Sequence, residues 1–323
     1  MAGPWRPGCA GSLSPVRIAA LAGGVGAARL LRGLVDVIDP ASVTAIVNTG
    51  DDFVIHGLHV SPDLDTVTYT LADAVNPETG WGLARETWAA MEALDRFGPG
   101  LTWFRLGDRD LATHLYRTRR LAEGAPLSTV TAEVTAAWGV AVRLLPMSDD
   151  PVATRVEVPG EGEIEFQDYF VRRHHDVPVR GVRFEGAATA TAGPGVLDAL
   201  AHADRVVICP SNPIVSIDPI LAVPGIRDAV VARRADVVAV SPIVAGAALK
   251  GPAARLLADL GHDVSVVGIA RLYAPLASVL VVDEADGWLA AAVEGEGMRC
   301  VVAPAVMRGR PEAMALAATV LQA

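Results

Sequence analysis

The stretch Arg17–Val47, RIAALAGGVGAARLLRGLVDVIDPASVTAIV, decides the fold. Arg17 to Leu21 reads as a buried strand, and Gly23-Gly24-Val25-Gly26 as a tight turn. From Ala27 to Val37 and just beyond, Leu30, Leu31, Leu34, Val35 and Ile38 recur at helical spacing. A second strand follows at Val43–Val47. Strand, glycine turn, helix and strand make a βαβ unit, which sets the first amides of a helix beside a strand end, where a phosphate can sit. On pattern alone the glycines fit plain helix–strand packing equally well. There is no GxxxxGK[ST], which excludes a Walker loop. The second strand ends in Asn48-Thr49-Gly50 rather than in a lone acid poised for a ribose, which weighs against a dinucleotide dehydrogenase.

Next comes NTGDDFVIHGLHVSPDLDTVTYTLA (48–72), with four aspartates: Asp51, Asp52, Asp63 and Asp65. Acids in a loop at the end of a buried strand are where α/β enzymes hold hard metal ions and polar substrates. The bland alternative is two Asp-rich turns and a helix cap. His56 and His59 could mimic a metal pair, but around such a loop they read as surface polar residues.

Composition narrows the field. The chain has 323 residues, 51% hydrophobic and 20% charged, with a net charge of −10, so it can bury a large core and is a poor candidate for nucleic-acid binding. Among the 27 basic residues Lys250 is the one lysine, so phosphates would be held by Arg, backbone amides or metal. Cys9, Cys209 and Cys300 are isolated, which suits a reducing cytoplasm. The apolar run 18–28 is short and broken by glycine, and nothing downstream reads as a membrane span.

Residues 1–16 read as a disordered leader and 17–323 as a single Rossmann-like domain, with a helical lid insertion at about 64–138 and an antiparallel β excursion at about 152–185. Within the insertion, helices are expected at Leu64–Val75, Arg85–Phe97, Leu111–Ala122 and Leu127–Trp138. Strands are expected at Val140–Leu144, then as an antiparallel group at Arg155–Val158, Glu163–Phe170 and Val179–Phe184. Further strands at Val206–Cys209, Val237–Val240, Val264–Val267, Val279–Val282 and Arg299–Val302 alternate with helices. The fold class is α/β, a doubly wound, mainly parallel sheet. Polar loops fall just after the strands, at Gly23–Gly26, Asn48–Asp52, Ser211-Asn212 and Ser241, and in a parallel sheet those ends share one edge. Glycine amides and hydroxyls would meet phosphates there and carboxylates a metal, which points to a phosphorylated, nucleotide-like ligand with a divalent ion.

LAGGVGAARLLRGL, AIVNTGDDF, SPDLDTVTYTLA, FRLGDRDLATHLYRT, LLPMSDDPVATRV, FQDYFVRR, TAGPGVLDAL, CPSNPIVSIDPIL and AVSPIVAG, in this order, closely resemble the 2-phospho-L-lactate transferase family of coenzyme F-420 biosynthesis, whose actinobacterial members are phosphoenolpyruvate transferases. The resemblance spans residues 17–320. It implies a magnesium-dependent transferase that moves a phosphoenolpyruvate or 2-phospho-L-lactate moiety from a guanosine-diphosphate ester. The acceptor is the ribityl hydroxyl of the deazaflavin Fo (7,8-didemethyl-8-hydroxy-5-deazariboflavin), and GMP leaves. It also implies a Rossmann-like fold and a homodimer, while the cytoplasmic location is read from the isolated cysteines and the missing membrane span.

Residue by residue, the resemblance assigns Asp51 and Asp63 to Mg2+ and Asp65 to the attacking hydroxyl or a second metal contact. Gly23, Gly24 and Gly26 would face the diphosphate, Ser211 and Asn212 the guanosine. Asp108, Arg109 and His114 belong to the GDRD-xxTH motif on the lid facing Fo, with Arg109 counted with Asp51 and Asp65 as catalytic. Thr66 and Ser241 complete the substrate contacts. Arg109 can equally be a local ion-pair cap, and His114 a structural helix residue. The rival from another class is a nucleotide-sugar-binding regulator of a sister family, which carries an ADDGGSSG-type loop after strand two where this chain has NTGDDFVIHG.

Overall fold

The computed structural model describes residues 16–98, 100–248 and 251–323. Most of the expected leader, with Cys9, and the lone Lys250 lie outside the described residues. Among these residues seven parallel strands form the main sheet, in the order Arg143–Pro146, Val43–Val47, Ile18–Ala22, Arg205–Ile208, Val237–Val240, Val279–Val282 and Arg299–Val302. The chain starts in the middle at Ile18–Ala22 (β1), builds outward through Val43–Val47 (β2) to one edge, then returns and builds to the other. The order reverses between β1 and Arg205–Ile208, so the connections leaving these two strands diverge and open a crevice at their carboxyl ends.

Why these segments are strands is plain from burial. All five residues of β1 are buried, as expected of a central parallel strand covered on both faces. Ala19, Leu21, Ile46, Val206 and Ile208 face one side, toward Ile226, Leu256 and Ile269. Ile18, Ala20, Val43, Val47 and Val207 face the other, toward Leu30, Leu31 and Leu34 of helix α1 (Gly24–Val37) and Leu316 and Val320 of the C-terminal helix Arg310–Gln322. This is the doubly wound, Rossmann-like sheet expected from the alternation of strands and helices.

The lid region has an apolar cluster of its own. The hairpin Phe53–Ile55/Leu58–Val60 packs through Ile55 and Val60 on Met91 and Leu106, with Phe53, Trp88, Trp103 and Phe104 around them. Helix α2 (Pro62–Leu71) starts on Pro62, where the missing proline N–H costs nothing. It carries the second pair of acids back to the sheet edge. The lid helix Asp110–Ala122 follows, and then Leu127–Ala137, which packs beside it and on the edge strand Arg143–Pro146.

Four expectations need correction. Val264–Val267 is not a strand: Ser265 accepts a hydrogen bond from the Gly268 amide at 3.1 Å and caps the helix Val266–Tyr273, so the β-branched pair belongs to a helix buried by tertiary packing. The Arg85–Phe97 helix shrinks to Ala89–Leu94 and a 3₁₀ turn, because Asp108 accepts from the amides of Ala89 and Ala90 at 2.9 Å each and fixes the start there. The antiparallel sheet is present as Gly162–Glu165, Ala153–Val158 and Gly181–Glu185, but the strand expected to reach Phe170 stops at Glu165 and gives way to a π-helical turn, Asp168–Arg172. The strand placed at Val140–Leu144 lies at Arg143–Pro146. Among the described residues no helix is long and apolar enough to cross a membrane.

Candidate active site at the sheet switch point

A cavity of about 1080 Å³ lies over the switch point, floored by the Gly23–Gly26 turn and roofed by the lid aromatics Trp88, Trp103 and Phe104. Its floor is built by the loops leaving β1 and β2. Asn48, fully buried at the end of β2, bends the chain by accepting the Gly50 amide at 2.8 Å. Its side-chain Nδ2 then donates to Asp51 Oδ1 at 3.1 Å and to Asp63 Oδ2 at 3.0 Å. One amide thus gathers two carboxylates from different elements.

Asp63 also accepts the Gly24 amide at 2.7 Å, which ties the start of α2 to the start of α1. A Cβ on Gly23 would stand 2.7 Å from Asp63 Oδ2, and one on Gly26 only 2.2 Å from the Pro210 carbonyl. These two positions must be glycine because other groups approach so closely. With Gly23 N–H held by Ser211 at 3.2 Å and Gly24 N–H by Asp63, the amides of Val25 and Gly26 remain the first-turn donors with no intrahelical acceptor, and both residues line the cavity.

Burial and mutual repulsion govern this acid pair. Asp51 is pushed well above the usual carboxylate range by burial, then by the charges of Asp63 and Asp52. Burial raises Asp63 to about 6, against the lowering effect of the Asn48 and Gly24 hydrogen bonds. Asp52 is raised by burial too, although Ser61 Oγ donates to it at 2.6 Å. No cation of the described protein is among the groups acting on Asp51 or Asp63.

Asp65 sits in the opposite situation. Its two oxygens receive Arg117: Nη1 donates to Oδ2 at 3.1 Å and Nη2 to Oδ1 in a short bond. Arg117 is 3% exposed and comes from the lid helix, where Asp110, His114 and Arg117 fall on one face at intervals of four and three residues. His114 Nδ1 lies 3.3 Å from Arg117 Nη1, and its Nε2 lies 3.2 Å from Asp110 Oδ2 without good hydrogen-bond alignment. Tyr69 of α2 donates to Asp110 Oδ1 at 2.6 Å. Burial would raise Asp110, but His114 and then Tyr69 hold it below the usual carboxylate value.

Among the residues singled out from sequence, Gly23, Gly24, Gly26, Asp51, Asp63, Asp65, Thr66, His114, Ser211, Asn212 and Ser241 all line the cavity. Asp108 and Arg109 do not, so the structure does not bring them together with the other expected site residues. Asp108 is spent on Thr87 Oγ1 and the amides of Ala89 and Ala90. Arg109 is exposed and donates to the Ala84 carbonyl at 2.6 Å. Ser211 Oγ donates to the Gly23 carbonyl at 2.8 Å, and Ser241 Oγ to the Ile243 carbonyl at 2.9 Å; both hydroxyls brace loops rather than present themselves to a ligand. Asn212 Oδ1 caps the Ile214 amide at 3.0 Å, while its Nδ2 is buried with no hydrogen-bond partner among the described residues, a donor left for the cavity. His56 is exposed as expected, but His59 is half-buried, and burial, then Arg117, lowers it to about 4.

Asn48, Tyr69, Asp110 and Arg117 escaped the sequence reading. The i, i+4, i+7 pattern would have placed Asp110, His114 and Arg117 on one helix face, where His114 and Arg117 are buried and Asp110 partly so. Nothing local marks Asn48, whose role depends on Asp63, fifteen residues later.

The donor set suits magnesium at Asp51 and Asp63. Magnesium takes hard oxygens and is commonly held by one or two carboxylates together with substrate phosphates rather than by a closed protein cage. Among the described residues no group of three or more His, Cys, Asp or Glu is arranged as such a cage. Asp65 fits less well, because its two oxygens already meet a guanidinium.

A glycine turn, a gathered acid pair and a roofed cavity at the switch point define a Rossmann-like protein of the class that binds polar small molecules at the carboxyl edge of a parallel sheet. The residue pattern of the 2-phospho-L-lactate transferase CofD family matches residues 18–300, and the chain belongs to that family. It is 48% identical to a phosphoenolpyruvate transferase of Kitasatospora aureofaciens over 297 residues, covering 90% of this chain and 92% of that one. Identity to the phosphoenolpyruvate transferase of Streptomyces griseus is 46% over 311 residues, covering 95% and 98%. A crystal structure of a UPF0052 family member from Bacillus halodurans superposes with a TM-score of 0.63 at 16% identity, over 96% of this chain and 100% of that one, a likeness of fold.

Proposed function

We propose that the chain transfers a phosphoenolpyruvate or 2-phospho-L-lactate moiety from a guanosine-diphosphate ester to the ribityl hydroxyl of Fo, with release of GMP, in coenzyme F-420 biosynthesis. Family membership gives the reaction class, and the names of the relatives favour the enolpyruvyl donor. The observation that carries the reading is the buried Asp51–Asp63 pair, uncompensated by any described protein cation and set beside the free amides of Val25 and Gly26. A diphosphate ester with its cation supplies the charge that such a pair lacks.

In this reading Asp51 and Asp63 hold Mg2+, which neutralises the diphosphate so that an incoming hydroxyl meets less repulsion. Val25 and Gly26 amides donate to phosphate oxygens at the positive end of α1. Asn212 Nδ2 donates to the nucleotide side. The lid aromatics cover the acceptor ring and exclude water. The hydroxyl oxygen of Fo bonds to the phosphorus bearing the three-carbon acid as the bond to the GMP oxygen breaks. GMP keeps the electron pair, and the hydroxyl proton passes to the Asp65 carboxylate and from there to bulk solvent. Positioning and charge neutralisation carry most of such a step. The chain is proposed to act in the cytoplasm as a homodimer, which sedimentation would test.

The direct test incubates the protein with Fo and either guanosine-diphosphate ester, with and without magnesium, and follows GMP and the phosphodiester product. Magnesium-dependent product with one of the donors is expected. Folded protein that forms product with neither contradicts the transferase reading.

A further inference from the structure

We infer that Arg117 is a positioning residue for the transfer: its guanidinium fixes the plane of the Asp65 carboxylate so that the remaining lone pairs of Asp65 accept the attacking hydroxyl. The inference rests on the proposed transferase reading and deepens it.

Four observations carry it. Both oxygens of Asp65 are engaged by the two terminal nitrogens of one guanidinium, the bidentate arrangement that sets a carboxylate's orientation as well as its distance. Arg117 is itself held from other sides: its Nη1 lies 3.3 Å from His114 Nδ1 and 3.5 Å from the His59 carbonyl. It is buried at 3% exposure, while Asp65 lines the cavity. Finally, the pair joins two separate elements, α2, which also carries Asp63, and the lid helix, which also carries Asp110 and His114.

Stability alone is a weak reason to keep such a pair, since well-packed apolar residues often serve as well or better than a buried ion pair. A fixed acceptor beside a reacting hydroxyl is a stronger one, because misplacing a reacting group by an ångström costs orders of magnitude in rate. The guanidinium beside Asp65 also explains a division of labour on α2. Asp63 has no cation from the described protein and can take a metal, whereas Asp65 is already neutralised and keeps only its outer lone pairs for a neutral donor such as a hydroxyl.

The test uses Arg117→Lys, which keeps the charge but loses the two-pronged geometry, and Asp65→Asn, alone and combined. Three quantities are read: kcat, KM for Fo, and binding of GDP with magnesium as a probe of the donor side. Arg117→Lys is expected to lower kcat at least tenfold with GDP binding changed less than threefold. In the Asp65→Asn background the same substitution is expected to lower kcat by less than threefold more, since its effect runs through Asp65. Smaller loss in the single variant, a further loss of threefold or more in the double, or GDP binding that falls in step with kcat overturns the inference. Should Arg117→Lys fail to fold, Arg117→Met combined with Asp65→Asn removes both charges, and a kcat within threefold of Asp65→Asn alone supports the inference while a lower one overturns it. Wild-type protein assayed alongside separates the two readings: if it forms no product, the transferase reading itself fails and takes this role with it.

Discussion

Asp63 and Asp65 stand two residues apart on one helix, both buried, yet they live in opposite electrostatic settings. Asp63 and its neighbour Asp51 meet an amide from Asn48 and a backbone N–H, but no described cation, and burial pushes both upward. Asp65 meets Arg117 on both oxygens, and the ion pair raises Arg117 above its usual value against the pull of burial. A buried carboxylate is costly unless paired. The fold pairs Asp65 with a cation and leaves Asp51 and Asp63 without one among the described residues. Under the proposed function the contrast assigns metal binding to Asp51 and Asp63 and acceptor positioning to Asp65, a division that four aspartates in a sequence do not give.

The contrast predicts unequal costs. Asp51→Asn and Asp63→Asn are close in shape, and each is expected to lower turnover by about a hundredfold or more, because the transition state loses its cation. A loss below about tenfold, measured as GMP release at saturating magnesium, would erase the distinction drawn here.

Stability should follow pH in a way set by the unpaired acids. Asp63 at about 6 and a raised Asp51 hold protons in the folded state at pH values where the unfolded chain has released them. Folded metal-free protein therefore binds more protons than unfolded protein between about 4 and the folded-state pKa values, and stability falls as pH rises through that window. Urea unfolding without metal is expected to show higher stability at pH 5 than at pH 7.5, by on the order of 1–3 kcal/mol. Asp63→Asn should flatten that slope. Stability that rises across this window would show that the pair is compensated after all.

The smallest effect belongs to Arg109. Its side chain lies on the Ala84 carbonyl outside the cavity, so Arg109→Ala is expected to leave kcat within about threefold of wild type, apart from some loss of lid stability. A large fall in kcat with an intact melting temperature would return it to the site.

What the sequence disclosed and what it hid divide along physical lines. The inner strands were legible because buried parallel strands read as apolar runs rich in β-branched residues, and Val43–Val47, Val237–Val240 and Val279–Val282 fall where that signal puts them. The same signal misled at Val264–Val267, where a serine cap and tertiary burial turned a β-branched stretch into a helix. Asp51, Asp63 and Asp65 could be singled out because loops at strand ends of a parallel sheet converge. Their division of labour could not, since it depends on Asn48 and Arg117, which reach the acids across 15 and 52 residues of chain. Arg109 is a charged residue in the GDRD motif whose guanidinium meets the Ala84 carbonyl.

The most direct test of the central claim is Mn2+ binding, as a stand-in for magnesium, followed by water-proton relaxation in the presence of GDP. It needs no turnover. Asp51→Asn and Asp63→Asn are expected to weaken Mn2+ binding at least tenfold, whereas Asp65→Asn leaves it within about twofold of wild type. Equal weakening by Asp65→Asn and Asp63→Asn would contradict the account.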